Sequence, residues 1–280
     1  MPELPDLVYI QKKLEPDIKG ELIKSAKAEK PLIVRSFIGE EYAQQLAGQK
    51  VKAVNLRSPF LHIQLEKYHL VLNLMLAGRL MLLDQAPKKK GYLCFSMIFN
   101  SGQRLLLYDE KQMAKIYIAE NEHLSQIPAF STLGLDLLST DFSLEAFLKL
   151  LSKERRQVRV FIMDKNKFSS IGNAYADEIL FKAKIHPKTM SNKLSDEMKT
   201  SLYQAIKETM SWGIEEVEKA NEPIEVKVRG HMQVRNRHGQ PCPECGTKIR
   251  RAGVYGHDTF FCPNCQQQPG NSFIQWQKNQ

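Results

Sequence analysis

Two stretches of the sequence hold side chains fit to bind a metal or to react. In "CPECGTKIRRAGVYGHDTFFCPNC", Cys242 and Cys245 form one C-x2-C pair, and Cys262 and Cys265 form a second after sixteen intervening residues. Two such pairs suit a tetrahedral site of four thiolates, because each tight knuckle supplies two sulfurs and the loop brings the pairs together. Four protein ligands leave no open coordination position, so the expected ion is one structural Zn2+ and not a hydrolytic one. The competing readings are disulfides, which a reducing compartment disfavours, and a redox C-x-x-C, which two pairs with Gly246 after the first disfavour. The second stretch is the opening "MPELPD". Pro5 fits the first turn of a helix and Asp6 complements the positive helix end, but that account leaves Pro2 and Glu3 unexplained.

The cysteine loop carries Lys248, Arg250, Arg251 and His257, and the approach to it, "KVRGHMQVRNRHG", is equally basic. Such a surface suits a phosphate backbone. The whole chain points the same way: 40 Lys and Arg against 31 acids leave a formal charge of +9 over 280 residues, which fits a polyanionic partner. Charge and cysteines alone also fit a zinc-ribbon RNA-binding protein. At 42% hydrophobic the chain can bury a real core, and its length suggests more than one compact unit. No apolar run approaches the roughly 20 residues of a membrane span and no signal segment opens the chain, so a cytoplasmic protein without membrane contact is expected. The fifth cysteine, Cys94 in "GYLCFSMIF", reads as a small core residue.

These residues must be positioned by the elements around them. Residues 5 to about 19 read as an amphipathic helix, with Leu7, Ile10 and Leu14 at helical spacing and Gly20 as a stop. From about 50 to 120, "KVKAVNL", "FLHIQLE", "HLVLNLML", "GRLMLLD", "YLCFSMIFN", "QRLLLYDE" and "MAKIYIA" read as short strands, with "NSGQ" as a hairpin turn and "PKKKG" as an exposed connection. Such strands predict a sandwich or barrel. Beyond Pro128 the pattern turns helical: "SLEAFLKLLSKER", a helix entered by a Gly-Asn turn in "SSIGNAYADEILFKAKIHP", and a long helix with Ser195 as its cap and Met198, Leu202, Ile206 and Met210 on one face.

Four separated stretches, "MPELPD", "AGRL" at 77 to 80, "IGNAYADEILFKAKIHP" at 171 to 187 and the cysteine hairpin ending in "CPNCQ", together resemble the formamidopyrimidine-DNA glycosylase and endonuclease VIII family over nearly the whole chain. The resemblance implies an α+β fold: an N-terminal β-sandwich domain with a long N-terminal helix (residues 1–128), a helix-two-turn-helix domain (129–228), and a zinc finger with the remaining tail (229–280). It implies a monomeric base-excision enzyme acting on double-stranded DNA with oxidised or ring-opened bases or abasic sites, and so associated with the nucleoid. Removal of Met1 would bare the secondary amine of Pro2, partly neutral near pH 7 and able to attack a sugar C1′. Glu3 would then move protons at the deoxyribose, and Asp6 stands where the family usually has Glu.

Further roles follow from the same resemblance. Asn173 matches the family's phosphate-binding Asn, although Asn also suits a left-handed turn. Gly172 permits close backbone approach, and Arg79 belongs to the matched "GRL" strand. Leu76, Lys111 and Met113 match the side chains that fill the hole left by an extruded base, with ordinary strand packing as the other reading for Leu76 and Met113. The chain also departs from the family. Pro59 aligns with a phosphate-contacting lysine, His257 with the finger arginine, and Asn73 with a histidine. "MA" at 113 to 114 replaces "FG", and "IEEVEKANEPIEV" is short and acidic where one branch carries a lesion-capping segment. The alternative they raise is a weakened or inactive damaged-DNA-binding protein of the same fold.

Overall fold

The computed structural model describes residues 1–85, 91–254 and 256–268, so most of the "PKKKG" connection lies outside the described residues. The chain forms two compact units, one of Met1–Asp136 with Trp212–Arg229, the other of Leu137–Ser211 with the described residues of Gly230–Gln280.

The first unit opens with helix α1 (Leu4–Ile18), strands β1 (Ile23–Ala28) and β2 (Val34–Ser36), and helix α2 (Tyr42–Leu46). Seven strands follow: β3 (Val51–Arg57), β4 (Phe60–Leu65), β5 (His69–Asn73), β6 (Arg79–Leu83), β7 (Leu93–Phe99), β8 (Arg104–Tyr108) and β9 (Lys115–Ala119). They build two sheets, ordered β1-β7-β8-β6 and β2-β9-β5-β4-β3. Alternation sets the inner faces: in β4, Leu61, Ile63 and Leu65 are buried while His62 and Gln64 are only partly covered. Leu7, Ile10, Leu14 and Ile18 of α1 join the same core as Leu61, Ile63, Phe95, Leu105 and Ile116. Burying each such aliphatic side chain contributes about 1.5–3 kcal/mol. Gly20 ends α1 with φ +89, a left-handed conformation that favours glycine. Cys94 lies in the core at 0% exposure.

The seven strands expected between 50 and 120 are present, whereas β1 and β2 carry little sequence signal. "IKSAKA" of β1 exposes lysines and buries only Ile23 and Ala26, as edge strands do. β2 is three residues long and pairs parallel to β9.

The second unit holds α3 (Leu144–Ser152), α4 (Val158–Ile162), α5 (Asn173–Lys182) and the start of α6 (Asp196–Ala220), whose last turns belong to the first unit. Ser195 Oγ accepts the Met198 N–H at 3.3 Å, and Leu202, Ile206 and Met210 are buried as their spacing requires. Phe142, Phe147, Phe161, Phe168 and Tyr203 form an aromatic core. Strands β10 (Arg250–Val254) and β11 (His257–Phe261) make an antiparallel hairpin with Val254 opposite His257.

Candidate DNA-processing site

The N-terminal group is built by the start of α1 and by the segment that follows α6. Asp6 accepts the Glu3 N–H at 2.8 Å, closing the exposed amides of the first turn. Its carboxylate is 4% exposed and is gripped by Arg229 through two hydrogen bonds of 2.8 and 2.7 Å. Those oxygens are therefore committed to fixing where α1 begins. The chain reverses at Asn221, with φ +47, and then runs back along this unit. The Tyr9 hydroxyl donates to the Glu222 carbonyl at 2.6 Å, Arg79 to the Glu225 carbonyl at 3.3 Å, and Lys227 Nζ to the Leu76 carbonyl at 3.3 Å.

The same Leu76 carbonyl accepts the Met1 ammonium at 2.9 Å. Burial, then the neighbouring Lys227 charge, hold this amine down at about 6, against an opposing pull from Glu3. Burial likewise lowers Lys227. Pro2 and Glu3 are both buried in the chain that retains Met1, and Pro2 lines a narrow pocket with Asp6, Leu74, Gly78, Arg79 and Lys227. Lys227 and Arg229 belong to the basic stretch "KVRGHMQVRNRHG" that the sequence suggests for a phosphate backbone, and the structure turns both toward the start of α1.

Two turns of the same unit carry the other marked side chains. Leu76 is 50% exposed, so strand packing does not account for it. It projects from a loop closed by the Gly78 N–H on the Leu74 carbonyl at 2.9 Å, where a Cβ on residue 78 would lie 2.4 Å from that oxygen. Only glycine fits there. Lys111 is exposed and Met113 half-buried on a turn organised by Asp109, whose buried carboxylate accepts the N–H groups of Lys111, Met113 and Ala114 at 2.9, 2.8 and 2.7 Å. Pro59 is buried between β3 and β4.

In the second unit, Asn173 is the first residue of α5 and Gly172 its N-cap, with φ −102. Asn173 is thus helical, and the left-handed residue nearby is Ser170, with φ +59. Asn173 Oδ1 accepts from Arg159 at 2.9 Å. Arg159 is 1% exposed and pairs with buried Asp177 at 3.0 Å. Asp177 also accepts from the Thr259 hydroxyl at 2.7 Å, the Phe260 N–H at 3.2 Å and Arg235 at 2.8 Å. Arg159 and Arg235 both donate to the Asp258 carbonyl, at 3.2 and 2.9 Å. This hub fixes α5 against β11 and so sets exposed His257 relative to Asn173 within one unit. Arg251 is ion-paired with Asp258 at 2.8 Å across the hairpin.

The cysteines meet the geometric test for zinc. Cys242 and Cys265 sulfurs lie 3.9 Å apart, those of Cys245 and Cys262 3.5 Å apart, and all four fall within 4.8 Å of one another. A tetrahedral ion with Zn–S bonds of about 2.3 Å spaces its sulfurs by about 3.8 Å, whereas a disulfide requires about 2.05 Å. Gly246, with φ +73, makes the first knuckle turn. The four thiolates fit one structural Zn2+.

A β-sandwich presenting a half-buried terminal amine, joined in sequence to a helical unit with a four-cysteine finger, defines the class of protein. Models of the formamidopyrimidine-DNA glycosylase N-terminal domain, of that enzyme's H2TH domain, and of a zinc finger found in FPG and IleRS match residues 1–116, 133–222 and 239–268. The formamidopyrimidine-DNA glycosylase of Bacillus subtilis is 30% identical over 280 residues, spanning 95% of this chain and 99% of that one. That of Chloroflexus aurantiacus is 28% identical over 96% of this chain and 100% of its own. Among solved structures, the wild-type Lactococcus lactis Fpg in complex with an oxidised-pyrimidine-containing DNA superposes with a TM-score of 0.87 at 25% identity, covering 95% of this chain and 100% of that one. The chain belongs to the formamidopyrimidine-DNA glycosylase family.

Proposed function

We propose that this protein is a DNA glycosylase of base excision repair that also cleaves abasic sites, using the secondary amine of Pro2 after Met1 is removed. The observation that carries this reading is the place of Pro2 at the wall of a narrow pocket that Asp6, Arg79 and Lys227 also line, a partly buried setting beside cations that favours the neutral form of an amine. The lone pair of Pro2 attacks C1′, the glycosidic C–N bond breaks, and the base leaves with a proton. Glu3 protonates the sugar ring oxygen, opening the ring to an iminium on Pro2. Loss of a proton from C2′ then breaks the bond from C3′ to the phosphate oxygen, and water releases the amine.

Asp6 is in this reading a positioning residue, fully engaged by Arg229 and the Glu3 N–H. Asn173 keeps its amide NH2 for a phosphate because Arg159 occupies its oxygen. Gly172, Arg79, Lys111 and His257 complete the backbone contacts, while Leu76 and Met113 enter the space of the extruded base. One extruded base needs one protomer, so the enzyme acts as a monomer. The four cysteines hold the finger and take no part in bond making.

The test incubates Met1-free protein with duplexes carrying oxidised bases, ring-opened bases or an abasic site. Base release with strand scission supports the proposal. Tight binding without either product overturns it in favour of a damaged-DNA-binding protein.

A further inference from the structure

We infer that a cleft in the second unit, between the segment after α5 and the open end of the β10–β11 hairpin, binds a phosphate group apart from the contacts assigned to Asn173 and His257. The cleft encloses about 460 Å³, and its lining includes His186, Lys188, Arg250, Phe261, Gln267 and Gln268, with no acid among the described residues that form it. Its floor is fixed by Gln266, which donates to the Ile185 carbonyl at 2.9 Å and accepts the Cys262 N–H at 2.9 Å. Register sets Arg250 opposite Phe261 at the open end of the hairpin and Val254 opposite His257 at the other end. Four residues of strand at about 3.4 Å each put the two ends about 14 Å apart.

Three donor groups of this cleft have no acceptor among the described residues. His186 is 6% exposed, stands edge-on to Phe261 with ring centroids 4.7 Å apart, and accepts the Lys188 N–H on Nδ1 at 3.2 Å. Burial, then the Lys188 charge, lower this imidazole, so near pH 7 the ring is neutral and carries its hydrogen on Nε2. No described residue accepts that hydrogen, and none pairs with Lys188 Nζ or the Arg250 guanidinium, whereas neighbouring Arg251 is held by Asp258. An imidazole N–H, an ammonium and a guanidinium without a carboxylate repel a metal ion and suit an anion with several oxygens. A carboxylate would be used up by the guanidinium fork alone. A phosphate group gives the fork two oxygens and keeps others for His186 and Lys188. Both the phosphodiester of a nucleic-acid strand and a free phosphate offer that chemistry.

The experiment reads the cleft directly. The full-length, zinc-loaded protein is titrated with inorganic phosphate against chloride at constant ionic strength, and the His186 ring is followed by NMR. Its resonances should move and saturate, while those of His123 in the first unit stay still. Replacing both cations, Lys188→Ala with Arg250→Ala, should weaken this binding about tenfold or more. Lys149→Ala, which removes an exposed lysine from α3, should leave it unchanged. Circular dichroism confirms that each variant is folded. A His186 signal that does not saturate, or that saturates equally in the double variant, overturns the inference. Adding undamaged duplex to the phosphate-loaded protein separates the two sources. Displacement of phosphate from His186 assigns the cleft to a nucleic-acid backbone, and simultaneous binding of both assigns it to a free phosphate.

Discussion

The terminal amine in the first unit rests on the Leu76 carbonyl beside a half-buried lysine, whereas the polar groups of the second unit meet around a fully buried carboxylate, Asp177, that accepts from two arginines, a hydroxyl and a backbone amide. The first arrangement crowds two nitrogens that can carry a positive charge onto one carbonyl. The second spreads one carboxylate over two guanidiniums, with the Asp258 carbonyl accepting from both of them. The two settings rest on different physical terms: crowded cations on a half-buried carbonyl in the first, a buried ionic network and a four-thiolate cluster in the second.

That contrast can be broken at either end. Removing the metal with a chelator should have the largest effect, since structural zinc sites contribute about 10–16 kcal/mol of binding free energy to folding. Amide exchange in β10 and β11 should become fast and DNA binding should fall away, while exchange in β4 and β5 stays slow. Asp177→Asn should destabilise the second unit by about 3–5 kcal/mol by leaving buried Arg159 with an unmatched charge, read as faster exchange in α5 and β11. Exchange in α1 and β4 should not change. Glu3→Gln should reverse that pattern, slowing cleavage of abasic duplex roughly 100-fold with finger exchange unaltered. The smallest effect is expected from His257→Arg, which should tighten duplex binding a few-fold and steepen the salt dependence by about 0.9 in log–log slope for one added phosphate contact.

Much of this arrangement is legible in the sequence. Alternation in "LHIQL", the short apolar runs separated by turns and the helical spacing of Leu7, Ile10 and Leu14 declare the sandwich and its helix, and paired C-x2-C knuckles declare the metal. The partners of the reactive end are not declared. Lys227 and Arg229 sit more than 220 residues from Met1 and Asp6, in a stretch whose charge suggests a phosphate backbone as partner and not the start of α1. Asp109 is similar: an acid after a strand looks like a turn residue, and only the folded chain shows it gathering three amides. The sequence marks the helix that Asn173 opens, but the Arg159 bonded to its oxygen has no recognisable spacing, since the pair depends on how α4 packs on α5. Periodicity encodes burial, whereas these contacts encode tertiary neighbours.

The central claim is that the bond to DNA forms at the nitrogen of residue 2. Borohydride reduction of Met1-free protein mixed with abasic duplex, followed by proteolysis and mass spectrometry of the cross-linked peptide, tests it directly. A sugar adduct on Pro2 is expected, lost or slowed in Pro2→Gly and in chains that keep Met1. An adduct on Lys227 or another lysine, or no adduct alongside efficient strand scission, would contradict it.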